Sequence, residues 1–188
     1  MRPPATSVWR MPPKAPARGI DDGGRSLIGI GAVGRRCRDY RKWYADHDES
    51  LVTLFDSAEE TLVHLSAVGD LVLLSNKGTN AVEGSLSRFG IRDHFSLVLA
   101  EEPSKPRKPD PEVFSMRISP LFPAVQPADC VVTGDTAADP EFARNIGASA
   151  CFAEYGFGER ASCDQVGYTH ALGRLGDLVG IYGQHRRP

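Results

Sequence analysis

The chain has 188 residues, enough for one domain with a buried core and a small extra element. Apolar residues make up 41% and charged residues 24%, with a formal net charge of −2, so no global basic field points to nucleic acid or an anionic membrane. No apolar run reaches membrane-spanning length, and the arginine-bearing N-terminus lacks the apolar stretch of a secretory signal. The four cysteines, Cys37, Cys130, Cys151 and Cys163, form no C-x-x-C pair, and the histidines at 47, 64, 94, 170 and 185 are scattered. A zinc site is therefore not expected, and reduced thiols in a cytoplasmic protein are.

Residues 1–25 mix five prolines with arginine, alanine and glycine and have little to bury, which predicts disorder. Residues 26–55 carry Leu27, Ile28 and Ile30, then the basic aromatic run Arg35 to Tyr44, readable as an amphipathic helix with a solvated basic face. From Asp56 to residue 188 the pattern alternates between helix and strand. Ser57-Ala-Glu-Glu60 matches a capping box, worth about 1 kcal/mol through its cap residue. Ala58, Leu62 and Leu65 follow on one helical face, and Gly69 suits the position just past the helix end. Leu71–Leu74 reads as a strand covered on both faces. Val82, Leu86 and Phe89 mark a second helix ending at Gly90, and Ser96–Ala100 a second strand. Asp110-Pro111 opens a helix that Pro120 closes. Cys130–Thr133 is a third strand, Phe142, Ala143 and Ile146 a helix face stopped by Gly147, and residues 148–153 a fourth strand. Residues 172–181 form a weaker closing helix. The alternation predicts an α/β, Rossmann-like parallel sheet with helices on both faces.

Ligands of such sheets bind beyond the carboxyl ends of the strands, and polar residues follow a strand directly at three places. Ser75 and Asn76 come after Leu71–Leu74; a hydroxyl and backbone N–H groups at a helix start suit a phosphate oxygen, and equally a plain capping turn. Lys108 lies between prolines ahead of a helix, placed to neutralise phosphate as a point cation or to stand in a solvated loop, with Lys105 a nearby rival. Asp135 follows Val131-Val132-Thr133 through Gly134, and Asp139 sits in the first turn of the next helix. Two carboxylates so arranged can hold Mg²⁺, directly or through water. Asp139 alone could also serve the helix dipole. A carboxylate directly behind an apolar strand is costly unless solvated, paired or metal-bound.

Taken in order, strand–Ser75-Asn76, Lys108-Pro-Asp-Pro111 and strand–Gly134-Asp-x-x-x-Asp139 resemble the second, third and fourth motifs of the haloacid dehalogenase superfamily. The detail is similar to its phosphoglycolate-phosphatase branch, with Phe89-Gly-Ile91, Ala143–Ala148 and Tyr155-Gly-Phe-Gly158 as supporting pieces over roughly residues 40–182. The resemblance implies phosphate-monoester hydrolysis through an aspartyl-phosphate, with Mg²⁺ as cofactor and a small phosphorylated metabolite as substrate. It implies that Ser75 binds the phosphoryl group with Asn76 shaping the loop, and that Lys108 stabilises phosphate charge. Asp135 would ligate the metal, and Asp139 would support the metal or Lys108. Residues 26–55 would be the remnant of a helical cap.

The family's first motif, an apolar strand ending in D-x-D-G-T, has no match in the 188 residues; the nearest string, Gly19-Ile-Asp-Asp-Gly-Gly24, has adjacent acids that a strand would point to opposite faces. A core incomplete at its N-terminal strand exposes sheet edges, so poor solubility or association into a homo-oligomer is expected. Three expectations follow: an incomplete phosphatase chain, a non-catalytic relative that binds a phosphorylated ligand or a protein, or an enzyme whose nucleophile comes from another residue or another chain.

Overall fold

The structure, a computed structural model, describes residues 9–10 and 53–185. The basic helix expected near residues 35–44, the acids at 21 and 22 and most of residues 1–55 lie outside the described residues. Within the expected disordered stretch, β1 (Trp9–Arg10) pairs antiparallel with β2 (Thr53–Leu54). The chain then runs through α1 (Ala58–Ser66), β3 (Val72–Gly78), α2 (Thr79–Arg88) and β4 (Leu97–Glu101). A short π-helical turn, Phe114–Ile118, precedes β5 (Val131–Gly134), α3 (Ala138–Ile146) and β6 (Ser149–Ala153). α4 (Arg160–Val166), β7 (His170–Leu172) and α5 (Asp177–His185) complete it.

All strands from β3 onward pair in parallel, but in two sheets: β3–β4 and β5–β6–β7. Among the described residues no strand bridges β3 and β5. One hydrophobic layer nevertheless spans both. Val72, Leu74, Leu97 and Leu99 from the first sheet pack with Cys130 and Val132 ahead of and along β5, under Phe142 and Ile146 of α3 and Val113, Phe114 and Ile118. The alternate residues Leu73, Val98 and Ala100 point the other way, into a cluster with Ala58 and Leu62 of α1 and Val82 and Leu86 of α2. This period-two division is what a sheet covered on both faces requires.

Several local expectations need correction. The capping box does not form: Ser57 occupies the cap position but has φ 59°, ψ 14°, and its side chain makes no capping bond. A capping residue ordinarily has extended backbone, which the left-handed Ser57 lacks. Gly69 is not a left-handed helix terminator either; a Cβ there would lie 1.9 Å from the Tyr182 hydroxyl, so the glycine admits α5's tyrosine. The helix expected from Asp110 is largely the π-helical turn, and Leu172 belongs to β7 rather than to the closing helix. Gly90 (φ 65°) and Gly147 (φ 82°) do end α2 and α3, with Ile91 N–H bonded to Leu86 O and Ala148 N–H to Ala143 O in the six-to-one pattern of a Schellman close.

Candidate active site

The three polar segments converge at the carboxyl ends of β3 and β5. At the end of β3 the ladder to β4 slips: Leu74 pairs with Leu99 and Gly78 with Glu101, so Ser75, Asn76 and Lys77 face a single residue. Such a bulge re-aims side chains at a sheet's rim. Ser75 is 2% exposed, and its Oγ accepts from Lys77 N–H at 3.1 Å. Asn76 Nδ2 donates to the Lys108 carbonyl at 3.0 Å. The next carbonyl, of Pro109, accepts from Asn145 Nδ2 of α3 at 2.9 Å. Asn76 in β3 and Asn145 in α3 thus both pin the Lys108–Pro109 backbone. Lys105 stands in the same loop, where residues 105–111 and Asn145 line an open depression of about 510 Å³.

Lys108 is buried, and its Nζ donates to Asp139 Oδ1 at 2.5 Å. Asp139 Oδ2 accepts from Thr136 N–H at 3.0 Å and from Thr136 Oγ1 at 2.7 Å. Both of its oxygens are therefore engaged within the protein, which makes it the lysine's counter-ion and the tie across the start of α3. Gly134 makes room: a Cβ there would stand 2.1 Å from Asp139 Cγ.

Asp135 is 1% exposed at the end of β5. Its Oδ2 accepts from the backbone N–H groups of Phe157 and Gly158 at 2.7 and 2.9 Å. In the sequence Tyr155–Gly158 served only as a supporting piece of the resemblance, and these two bonds are what was missed; the Gly-x-Gly spacing was the available signal. Beneath this turn, Phe55 packs edge-on against Tyr155 at 4.9 Å and lies 6.0 Å from the Phe157 ring. Among the described residues no three His, Cys, Asp or Glu side chains form a metal-binding cluster. Ser75, Asn76, Lys108, Asp135 and Asp139 all lie in the three converging segments, and the Asn76–Lys108–Asp139 bonds join those segments directly.

Among the described residues the buried Tyr155 hydroxyl has no hydrogen-bond partner. Burial first, then the nearby Asp135 and Asp177 charges, push its pKa upward. A buried O–H left unpaired costs about 1–3 kcal/mol. Tyr155→Phe is therefore expected to raise stability by about 1 kcal/mol, or Tm by about 2–4 °C. Thermal unfolding followed by circular dichroism tests this, and a lowered Tm would mean the hydroxyl is bonded after all.

A parallel α/β core with polar side chains gathered beyond its strand ends belongs to the class of folds that take their ligands at that rim. The family model of haloacid dehalogenase-like hydrolases matches residues 27–153, and the chain belongs to that family. Within it the chain is similar to phosphoglycolate phosphatases. It is 26% identical over 144 residues to the phosphoglycolate phosphatase of Neisseria gonorrhoeae, covering 76% of this chain and 60% of that protein. It is also 26% identical to the pyrophosphatase PpaX of Bacillus velezensis, covering 77% of this chain and 66% of that one. The chain thus spans about three-fifths of the length of such curated relatives. Among solved structures, a haloacid dehalogenase-like hydrolase of Streptococcus pneumoniae superposes with TM-score 0.72 at 18% identity, covering 83% of this chain and 72% of that one, which establishes the shared fold. The family match begins at residue 27, so it takes in the stretch expected to be a cap remnant. Among the described residues no helix is long and apolar enough to cross a membrane.

Proposed function

We propose that the chain carries the phosphate-handling machinery of a Mg²⁺-dependent phosphate-monoester hydrolase of the phosphoglycolate-phosphatase type. The observation that carries this reading is the hydrogen-bonded chain Asn76–Lys108–Asp139, which fixes a buried ammonium beside two strand ends. The Ser75 hydroxyl donates to a phosphate oxygen, and the bulge at Ser75–Lys77 turns it toward the ligand. Lys108, its backbone pinned by Asn76 and Asn145, offers its remaining N–H donors to the phosphate and offsets charge gathering on it. Asp139 keeps that ammonium in place. Asp135 is the carboxylate that would hold Mg²⁺: it is an oxygen donor of the kind a hard cation takes, and its backbone bonds leave it one fixed orientation. When bound, the ion supplies charge neutralisation at the phosphate. The ligand class is a small phosphorylated metabolite, and the compartment is the cytoplasm.

One observation favours a second reading. The 188 residues contain no D-x-D-G-T string to supply an aspartate nucleophile. The same groups would then bind a phosphorylated ligand without turning it over.

The test is hydrolysis of p-nitrophenyl phosphate by the full chain with Mg²⁺ and with EDTA, beside Asp135→Asn. Under the first reading turnover requires Mg²⁺ and falls at least about 100-fold in the variant. Mg²⁺-dependent phosphate binding without turnover selects the second. Folded protein that neither binds nor hydrolyses phosphate overturns both.

A further inference from the structure

We propose that the turn Tyr155–Gly158 is a backbone clamp that positions Asp135 for its ligand; this rests on the reading of Asp135 as a ligand-holding group. After β6 the chain folds back over the end of β5, closed by Gly156 N–H to Ala153 O at 3.0 Å. The next two N–H groups, of Phe157 and Gly158, both meet the same carboxylate oxygen. Hydrogen bonds to a carboxylate are charge-assisted and directional, so two on one oxygen fix both the rotamer and the plane of the group.

The glycines show that the contact is what shapes this turn. Neither Gly156 nor Gly158 has a positive φ, so neither is there for conformational freedom. A Cβ on Gly156 would lie 2.3 Å from Asp135 Cβ, and one on Gly158 only 1.6 Å from the Asp135 carbonyl oxygen. Any side chain at either place would lift the turn off Asp135. From the other side, Cys163 of α4 reaches the same carbonyl at 3.6 Å. The flanking rings, Tyr155 and Phe157, pack on Phe55 just after β2, which anchors the turn to a separate part of the chain. Asp135 is thus held by groups of other segments, the arrangement that preorganises a binding carboxylate.

Mg²⁺ alone is the probe, titrated calorimetrically into the full chain, Gly158→Ala and Gly84→Ala. The last is a control on α2, where an added Cβ meets nothing within 4 Å. Gly158→Ala is expected to lose at least about tenfold in Mg²⁺ affinity, while the control stays within about twofold of wild type. A folded Gly158→Ala with wild-type affinity overturns the clamp. Should that variant fail to fold, amide hydrogen exchange decides. The Phe157 and Gly158 amides should exchange at least about tenfold faster in Asp135→Ala than in wild type, and unchanged exchange overturns the proposal. If wild type binds no Mg²⁺, the metal reading of Asp135 falls, and the exchange result alone decides the clamp.

Discussion

Asp139→Ala is expected to destabilise the protein by about 3–5 kcal/mol, because it strands a charge in the interior. The Lys108 and Asp139 side chains are only 6% and 4% exposed. Their mutual attraction offsets the cost of taking both ions out of water only while both are present. The carboxylate also satisfies the Thr136 N–H and hydroxyl, so its removal frees three donors at once. Lys108→Met should cost less, since it leaves Asp139 with two donors in place. Asp139→Asn, which keeps an oxygen for Thr136, should fall between. Combining Lys108→Met with Asp139→Asn removes both charges at similar volume, and the double variant should recover much of what Asp139→Asn alone loses. Urea denaturation of the four variants measures this. A loss below about 1 kcal/mol in Asp139→Ala would show that water reaches the lysine, and its role as a fixed cation would go with it.

Much of this arrangement could be read from the sequence, and for a physical reason. In a parallel sheet the chain must leave each strand at the same end, so polar residues directly behind apolar runs share a rim wherever they stand in the chain. That rule marked the segments of Ser75, Lys108 and Asp135, and their order along the chain, read as a family resemblance, joined them. The residues that set core faces were equally legible: Leu62, Val82, Leu86 and Phe142 are all buried where the period of 3.6 put them. What stayed hidden depends on contacts between distant segments. The pattern Ser57-Ala-Glu-Glu60 satisfies a local rule, yet the entering chain holds Ser57 at φ 59° and the rule loses. Gly69 looks like a helix stop but answers to Tyr182, more than a hundred positions later. What the Asp139 carboxylate touches was hidden in the same way: Lys108 Nζ lies 2.5 Å away, from a segment 31 positions earlier. The division of the sheet between β3 and β5 is of the same kind, since strand order is a property of the fold and not of any one strand's composition.

Gly134 carries the second large effect. It lies against the Asp139 carboxylate, whose Cγ and two oxygens would stand 2.1–2.5 Å from an added Cβ. Neither side can yield cheaply. Gly134 is paired with Phe152 in the β5–β6 ladder, so the backbone cannot retreat. Asp139 is a short side chain tied by three hydrogen bonds, so it cannot swing aside without releasing Lys108. Gly134→Ala is therefore expected to cost at least about 3 kcal/mol, from overpacking together with the broken ion pair. The cause can be separated from any general intolerance of β5. In an Asp139→Ala background the obstruction is gone, and adding Gly134→Ala should cost less than about 1 kcal/mol. If the two losses instead add, measured by urea denaturation of both single variants and the double, the collision is not what requires glycine here. A strongly sub-additive pair would tie Gly134, Asp139 and Lys108 into one unit, in which the absence of a Cβ at Gly134 decides whether the cation at the rim is held in place.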